Sequence, residues 1–228
     1  MKPPQFYRRY DYEKSLLPNH FLASLENGVS DIDAAKSRTC FTIGYPGWNL
    51  IYYMLLSHLN PSTFNLVIET GTNWGCTTII LAQALKDSGC RGRVVTMEIS
   101  PDHHARAMNN LVRAGVMDVV TAKLGDSKLL LKEMAEQKFP IRCALLDASH
   151  LFEDVIDEFE TIYPLLTAES IVLFDNTYQI AEEHEDQRVN GALKYIQYRF
   201  GGNVVNFEFV SWSTPGMAIW QKSAFKST

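Results

Sequence analysis

From residue 64 onward the chain alternates between short β-rich runs and stretches that are apolar at helical spacing. This alternation limits the possible folds more than any other feature of the sequence. Residues 64–69 (FNLVIE), 93–98 (RVVTME), 119–124, 142–146 and 171–174 (IVLF) read as strands. Residues 76–86, 127–137, 151–163 and 186–200 read as helices. A further helix opens at Ser100-Pro101, with serine as N-cap and proline at the first position, and ends at Gly115. Two late strands, 204–210 and 217–221, follow Gly201-Gly202. Five strand–helix units and a terminal strand pair describe an α/β chain with a mostly parallel sheet and helices on both faces. Residues 48–59 (WNLIYYMLLSHL) read as a helix and those before them as irregular. Residues 1–63 are expected to form an N-terminal helical cap on the same domain that 64–228 builds.

A domain of 228 residues can bury a sizeable core without metals or disulfides. The formal net charge is -5 and no Lys/Arg-rich run occurs, which argues against a nucleic-acid partner and leaves room for a small substrate. Cys40, Cys76, Cys90 and Cys143 form no CxxC pair and no zinc-like spacing, and Cys76 and Cys143, in apolar surroundings, are expected as buried reduced thiols. The opening MKPPQFYRRYDYEK lacks the apolar stretch of a signal peptide, and no run approaches the ~18–20 apolar residues of a membrane span. A cytoplasmic location without a membrane partner is expected.

Residue types suited to chemistry gather where the strands end, the rim at which open α/β sheets bind ligands. The first strand runs into Glu69-Thr70-Gly71-Thr72-Asn73-Trp74-Gly75, an ExGxxxG turn whose glycines let a backbone approach a ligand closely. It is not GxGxxG, because Asn73 stands where the middle glycine would be. Glu98, followed by Ile99, ends the second strand, where a carboxylate can accept both ribose hydroxyls of a nucleoside-like ligand. Gly125-Asp126-Ser127 ends the third, where a carboxylate can accept an exocyclic adenine amine or simply favour a helix N-terminus. The fourth strand stops at Asp147, with His150 three residues on (DASH), and the fifth runs into Asp175-Asn176. As ends of neighbouring strands, Asp147, Asp175 and Asn176 would meet as a hard, oxygen-rich set suited to Mg²⁺. Without a cation the two carboxylates would repel and one would tend to stay protonated. The plainer readings are a helix N-cap at Asp147, a helix-start histidine at His150 and an Asx turn at Asp175-Asn176.

Taken together, ETGTNWG, Glu98, GDS, DASH and DN resemble the class I S-adenosylmethionine-dependent methyltransferases over roughly residues 44–222. The resemblance implies a Rossmann-like, doubly wound seven-stranded sheet with an antiparallel last strand. It implies S-adenosylmethionine as cofactor, with Glu69, Gly71 and Gly75 at its methionine part, Glu98 at the ribose and Asp126 at the adenine. Thr70, Thr72, Asn73, Ile99, Ser127 and Asp147 also fall in the implied cofactor site, and Tyr45 and Gly47 in the segment that often covers it. Asp147 with Asp175-Asn176 is similar to the metal-dependent enzymes like catechol O-methyltransferase, which commonly carry a lysine three residues after the first Asp. Here His150 takes that place, as in the macrolide-sugar and related natural-product O-methyltransferases, whose strand-five pair is more often acidic. The implied chemistry is Mg²⁺, or another hard divalent cation, at Asp147, Asp175 and Asn176. Asp147 and His150 are the catalytic pair, with the histidine as general base toward a hydroxyl of a small molecule, a sugar or natural product. Homo-oligomerisation through the N-terminal segment is a further hypothesis. The rivals are an NAD(P)-dependent oxidoreductase on a related fold and a non-catalytic module that kept the fold.

Other residues read more plainly. Tyr178, His184 and Glu185 belong to a polar loop, 177–188, that reads as a solvated acidic connection, the alternative being a lining of the substrate mouth or a lid. His103-His104 read as surface histidines and Trp48, Tyr52 and Tyr53 as core. Trp74 is expected near the cofactor, and 212–215 (WSTP) near the substrate.

Overall fold

The computed structural model describes residues 17–177, 185–207, 211 and 216–222. They open with α1 (His20–Glu26), α2 (Ile32–Thr39) and α3 (Gly47–His58), so the expectation of irregular chain before residue 48 is corrected. Asn19 caps α1 by accepting from the Phe21 and Leu22 amides, and Asp31 caps α2 by accepting from the Ala34 amide. Helix α1 turns Leu22 into the core with Phe21, Ala23 and Leu25 packed beside it, whereas α2 buries only Ala35 and Thr39.

The alternation then runs as expected: β1 (Asn65–Thr70), α4 (Cys76–Ser88), β2 (Gly92–Glu98), α5 (Pro101–Arg113), β3 (Val120–Leu124), α6 (Ser127–Ala135), β4 (Ile141–Leu146), α7 (Phe152–Ile162), β5 (Leu166–Asp175), α8 (Val189–Phe200), β6 (Asn203–Phe207) and β7 (Met217–Gln221). The sheet order is β3-β2-β1-β4-β5-β7-β6. Strands β1 to β5 are parallel, and β7 is antiparallel to both β5 and β6. This is the Rossmann-like seven-stranded arrangement. The chain reverses direction across the sheet between β1 and β4, where Thr70 pairs with Leu146, so the two carboxyl ends open a crevice at the switch point.

A parallel sheet covered on both faces needs strands apolar on both faces. All six residues of β1 are buried. Val67, Cys143, Leu145 and Leu173 pack with α3, α4 and α5 on one face. Ile68, Ala144, Leu146 and Phe174 pack with α6, α7 and α8 on the other. On that second face Phe159 of α7 stands among aromatic rings, with centroids 5.1 Å from Trp220, 5.4 Å from Phe200 and 6.0 Å from Phe174. In α3, Trp48 and Tyr52 belong to the core as expected, but Tyr53 is 62% exposed and does not.

Some boundaries move. Residues 185–187 form a 3₁₀ turn, so α8 starts at Val189 instead of 186, and β5 begins at Leu166 instead of 171. All four cysteines are unbridged. Burial pushes the Cys76 and Cys143 thiols up to about 12, which leaves them protonated and inert. Cys40 and Cys90 are half-buried. Tyr178, His184 and residues 208–210 and 212–215 lie outside the described residues, as does the Glu185 side chain. Among the described residues no helix is long and apolar enough to cross a membrane.

Candidate active site

The carboxyl ends of β1 to β5 border one cavity of about 500 Å³, within the usual size of a small-molecule site. Gly71 makes that crevice narrow. Its φ is +78°, and a Cβ there would lie 2.0 Å from the Asp147 carbonyl oxygen, so the turn after β1 rests directly on the backbone after β4. The Gly71 and Thr72 amides donate to the Met97 carbonyl at 2.9 and 3.0 Å, which pins the turn to the end of β2. Asn73 also has a positive φ, +51°, and its amide donates to Glu98 Oε2 at 2.6 Å. The Ser100 amide donates to Glu98 Oε1 at 2.9 Å. Glu98 is therefore fixed at the cavity wall by two backbone donors. The side-chain amide of Asn73 donates to the Cys40 carbonyl at 3.1 Å, while its oxygen is buried without a hydrogen-bond partner.

Gly71, Thr72, Asn73, Glu98, Ile99, Asp126, Ser127 and Asp147 all border the cavity. Glu69, Thr70 and Gly75 do not border it. Glu69 is buried behind the turn, where the Thr78 hydroxyl and the Thr96 hydroxyl (2.6 Å) donate to its Oε2. Thr96 and Thr72 share a further bond of 2.5 Å, so Glu69 braces the turn from behind. Burial pushes its carboxyl up to about 7 against the two hydroxyl donors. Gly75 serves as the left-handed N-cap of α4, φ +78°. Trp74 lies away from the cavity, with the Arg106 guanidinium 3.6 Å over its ring. Tyr45 and Gly47 do not border the cavity either; Cys40, Phe41 and Thr42, a few residues earlier, do. His103 borders it too, and both His103 and His104 are half-buried, not surface residues.

At the other end stand Asp147, His150, Asp175 and Asn176. Asp147 does not cap α7: the residue before that helix is Leu151, with no side-chain cap. Its carboxylate Oδ1 instead faces His150 Nε2 at 3.3 Å, and Asn176 Nδ2 lies 3.4 Å from His150 Nδ1. With the proton on Nε2, imidazole donates to Asp147 and accepts from Asn176. Asp147 and Asp175 touch, and Asp175 Oδ1 is buried without a hydrogen-bond partner. Loss of water and, second, a neighbouring carboxylate hold both groups well above the usual carboxylate range; the neighbour is Glu69 for Asp147 and Asp147 for Asp175. An orphaned carboxylate oxygen beside a second carboxylate fits a hard cation. Among the described residues no three His, Cys, Asp or Glu side chains group as a metal cage, so any ion here would rest on two carboxylates and an amide.

Sequence reasoning missed Thr77, Met97, Lys128, Ser149, Asp154 and Glu158 at the cavity. Asp154 accepts from Lys128 Nζ and from Ser149 Oγ, both at 2.6 Å. Met97 reads as strand core in β2, and the others belong to helices α4, α6 and α7 or to a loop, where a polar residue reads as solvated. Only their place one turn past a strand end could have marked them.

The family described as a methyltransferase domain matches residues 68–177. A catechol O-methyltransferase of Mycobacterium tuberculosis is 31% identical over 134 residues, 58% of each chain. A rhamnosyl O-methyltransferase of Mycobacterium bovis is 27% identical over 148 residues, 63% of this chain and 52% of that protein. The chain thus aligns with little more than half the length of these curated relatives. The fold matches the crystal structure of an O-methyltransferase from Bacillus cereus in complex with SAH, with a TM-score of 0.71, 19% identity and coverage of 90% and 91% of the two chains. Residues 68–177 are thus similar to methyltransferase domains, and the sheet order, the glycine turn and the acidic strand ends agree with that likeness.

Proposed function

We propose that this protein moves a methyl group from S-adenosylmethionine to a hydroxyl of a small molecule, with a sugar or natural product as acceptor, assisted by Mg²⁺ and by His150 as base. One observation carries the reading. A single cavity has Glu98 and Asp126 at one end and Asp147, His150, Asp175 and Asn176 at the other. The first pair suits the ribose and adenine of the cofactor, and the buried Asn73 oxygen offers an acceptor to a cofactor N–H or O–H. The second group suits a hydroxyl that must lose a proton.

Asp147, Asp175 and Asn176 would hold the cation, and a rim of two contacting carboxylates with one orphaned oxygen supports that choice. A bound divalent ion would lower the pKa of the acceptor hydroxyl and fix its direction. His150 then removes the proton at Nδ1, the nitrogen that Asn176 holds at a long 3.4 Å. Asp147, 3.3 Å from Nε2, orients the ring and steadies the imidazolium that results. Imidazole, with an ordinary pKa near ~6.5, suits this task at neutral pH, and a placed base is worth ~10²–10⁴ in rate. The close approach of Gly71 to the Asp147 backbone holds the glycine turn beside the proposed reacting groups.

His150 in place of the lysine expected for catechols favours a saccharide acceptor, and the rhamnosyl relative supports it. Of the N-terminal segment, residues 17–63 act as a cap of the same domain: Leu22, Trp48, Ile51 and Leu55 share one core with Ile79 and Val67. The unbridged cysteines suit a reducing, cytoplasmic setting. Homo-oligomerisation is part of the same proposal, and a sedimentation mass of one chain would refute it.

The test is calorimetric titration of S-adenosylmethionine, S-adenosylhomocysteine and Mg²⁺ into wild type and Asp147→Ala. Both cofactor forms are expected to bind wild type, and Mg²⁺ binding is expected to vanish in the variant. Cofactor binding without Mg²⁺ binding would leave His150 acting alone. No cofactor binding would overturn the reading.

A further inference from the structure

Glu158 is the one charged residue of α7 that is buried with its core face, 2% exposed beside Val155, Phe159 and Ile162. An apolar side chain would be the default there, because a carboxyl loses its water on burial. Two hydroxyl donors compensate. Ser127 Oγ, at the first residue of α6, donates to Oε1 at 2.6 Å. Thr70 Oγ1, at the last residue of β1, donates to Oε2 at 2.9 Å. The Thr70 hydroxyl in turn accepts from the Asp147 amide at 3.2 Å. One buried carboxyl thus ties together the ends of β1, β3 and β4.

The start of α6 needs such a tie. The helix has nine residues and buries only Leu131. Its other links to α7, Lys128 to Asp154 and Lys132 to Asp157, are partly or largely exposed, and exposed pairs hold little. Yet Asp126 and Ser127 at its start form the wall proposed to face the adenine.

We propose that Glu158 is a positioning residue of the cofactor site: through Ser127 it sets the start of α6 at the adenine end, and through Thr70 it sets the end of β1 and the Asp147 amide at the other. The inference rests on the methyltransferase reading above. Because Glu158 meets the cavity from its buried side and holds Ser127 and Thr70 through their hydroxyls, its removal should loosen cofactor binding without unfolding the chain.

The experiment is calorimetric titration of S-adenosylhomocysteine into wild type, Glu158→Gln, Glu158→Leu, Ser127→Ala and the double variant Glu158→Leu/Ser127→Ala, with circular dichroism and melting of each. Wild type is expected to bind. Glu158→Leu should weaken binding about tenfold and Ser127→Ala about threefold to tenfold. The double variant should be no worse than Glu158→Leu, since both remove one link. Glu158→Gln, whose amide can serve both hydroxyls, should bind within about threefold of wild type. Should Glu158→Leu fail to fold, Ser127→Ala and Glu158→Gln decide: weakening by the first and retention by the second support the link. Wild-type affinity in a folded Glu158→Leu or in Ser127→Ala, or losses that simply multiply in the double variant, would overturn it. Absence of binding by wild type itself would overturn the methyltransferase reading as well, so the two failures are distinguishable.

Discussion

At Gly71 the geometry admits no side chain. The positive φ disfavours one, and the atom a Cβ would meet is the backbone oxygen of Asp147, which cannot swing aside. Gly71→Ala is expected to cost about 2–4 kcal/mol of stability and to weaken S-adenosylhomocysteine binding at least a hundredfold. Urea unfolding and titration would check both, and wild-type affinity in the variant would contradict the close approach. Asp175 makes the opposite case, a residue that harms stability at the rim proposed to hold the cation. Burial and the adjacent Asp147 hold its pKa up, so its folded form is favoured when protonated. Stability tied to it is full below the ordinary carboxylate pKa and is lost as pH rises. Asp175→Asn is therefore expected to raise the melting temperature of the metal-free protein at pH 8, by about 2–4 °C for each kcal/mol relieved, and to change little at pH 4. The same variant should lose all thermal stabilisation by Mg²⁺. A melting temperature that falls at pH 8 would mean that the two carboxyls do not repel.

Elements differ in how plainly the sequence announces them. The strand ends were legible, because an apolar run that stops on Glu98, Asp147 or Asp175 breaks its own pattern at a definite residue. Helix α7 was legible as a helix, but Glu158 within it was not. In an amphipathic pattern a glutamate counts as solvated, and only the fold brings Ser127 and Thr70 to it. Helix α1 was missed because its seven residues are too short for an apolar period to repeat, and α2 because it is polar and held by its Asp31 cap. For the same reason Cys40, Phe41 and Thr42, at the end of α2, were not read as part of the cavity. The aromatic packing around Phe159 shows where α7 draws its stability. Its ring meets Phe174 of β5, Phe200 of α8 and Trp220 of β7, so one side chain joins the parallel and antiparallel parts of the sheet. Phe159→Ala should cost about 3–5 kcal/mol, a drop of roughly 10 °C or more in melting temperature. A cost below about 1 kcal/mol, measured by denaturant unfolding, would show that α7 is anchored elsewhere.

For the molecule as a whole, the buried carboxyls set how stability depends on pH. Burial raises Glu69 and Glu158 from 4.5 to about 7, opposed in each case by hydroxyl donors, and the Glu98 charge adds to the first and Asp154 and Asp126 to the second. A group raised in this way favours folding while protonated. Its contribution is complete below pH 4.5, where both folded and unfolded forms hold the proton, and it fades as pH rises from 4.5 to 7. For each group the span corresponds to ~3 kcal/mol at most. Exposed carboxyls such as Asp118 and Glu169, held low by Lys86 and Arg142, pull the other way, but solvated pairs contribute far less. The ligand-free protein should therefore lose stability from pH 4.5 to 7, against the common trend for acid-sensitive proteins. Glu158→Gln should flatten that slope and be the more stable protein at pH 8, whereas at pH 4.5 it should match wild type. Urea unfolding at half-unit pH steps would show it. A wild-type curve that rises steadily from pH 4.5 to 7 would mean that these carboxyls ionise freely in the folded chain and that their hydroxyl partners outweigh their burial.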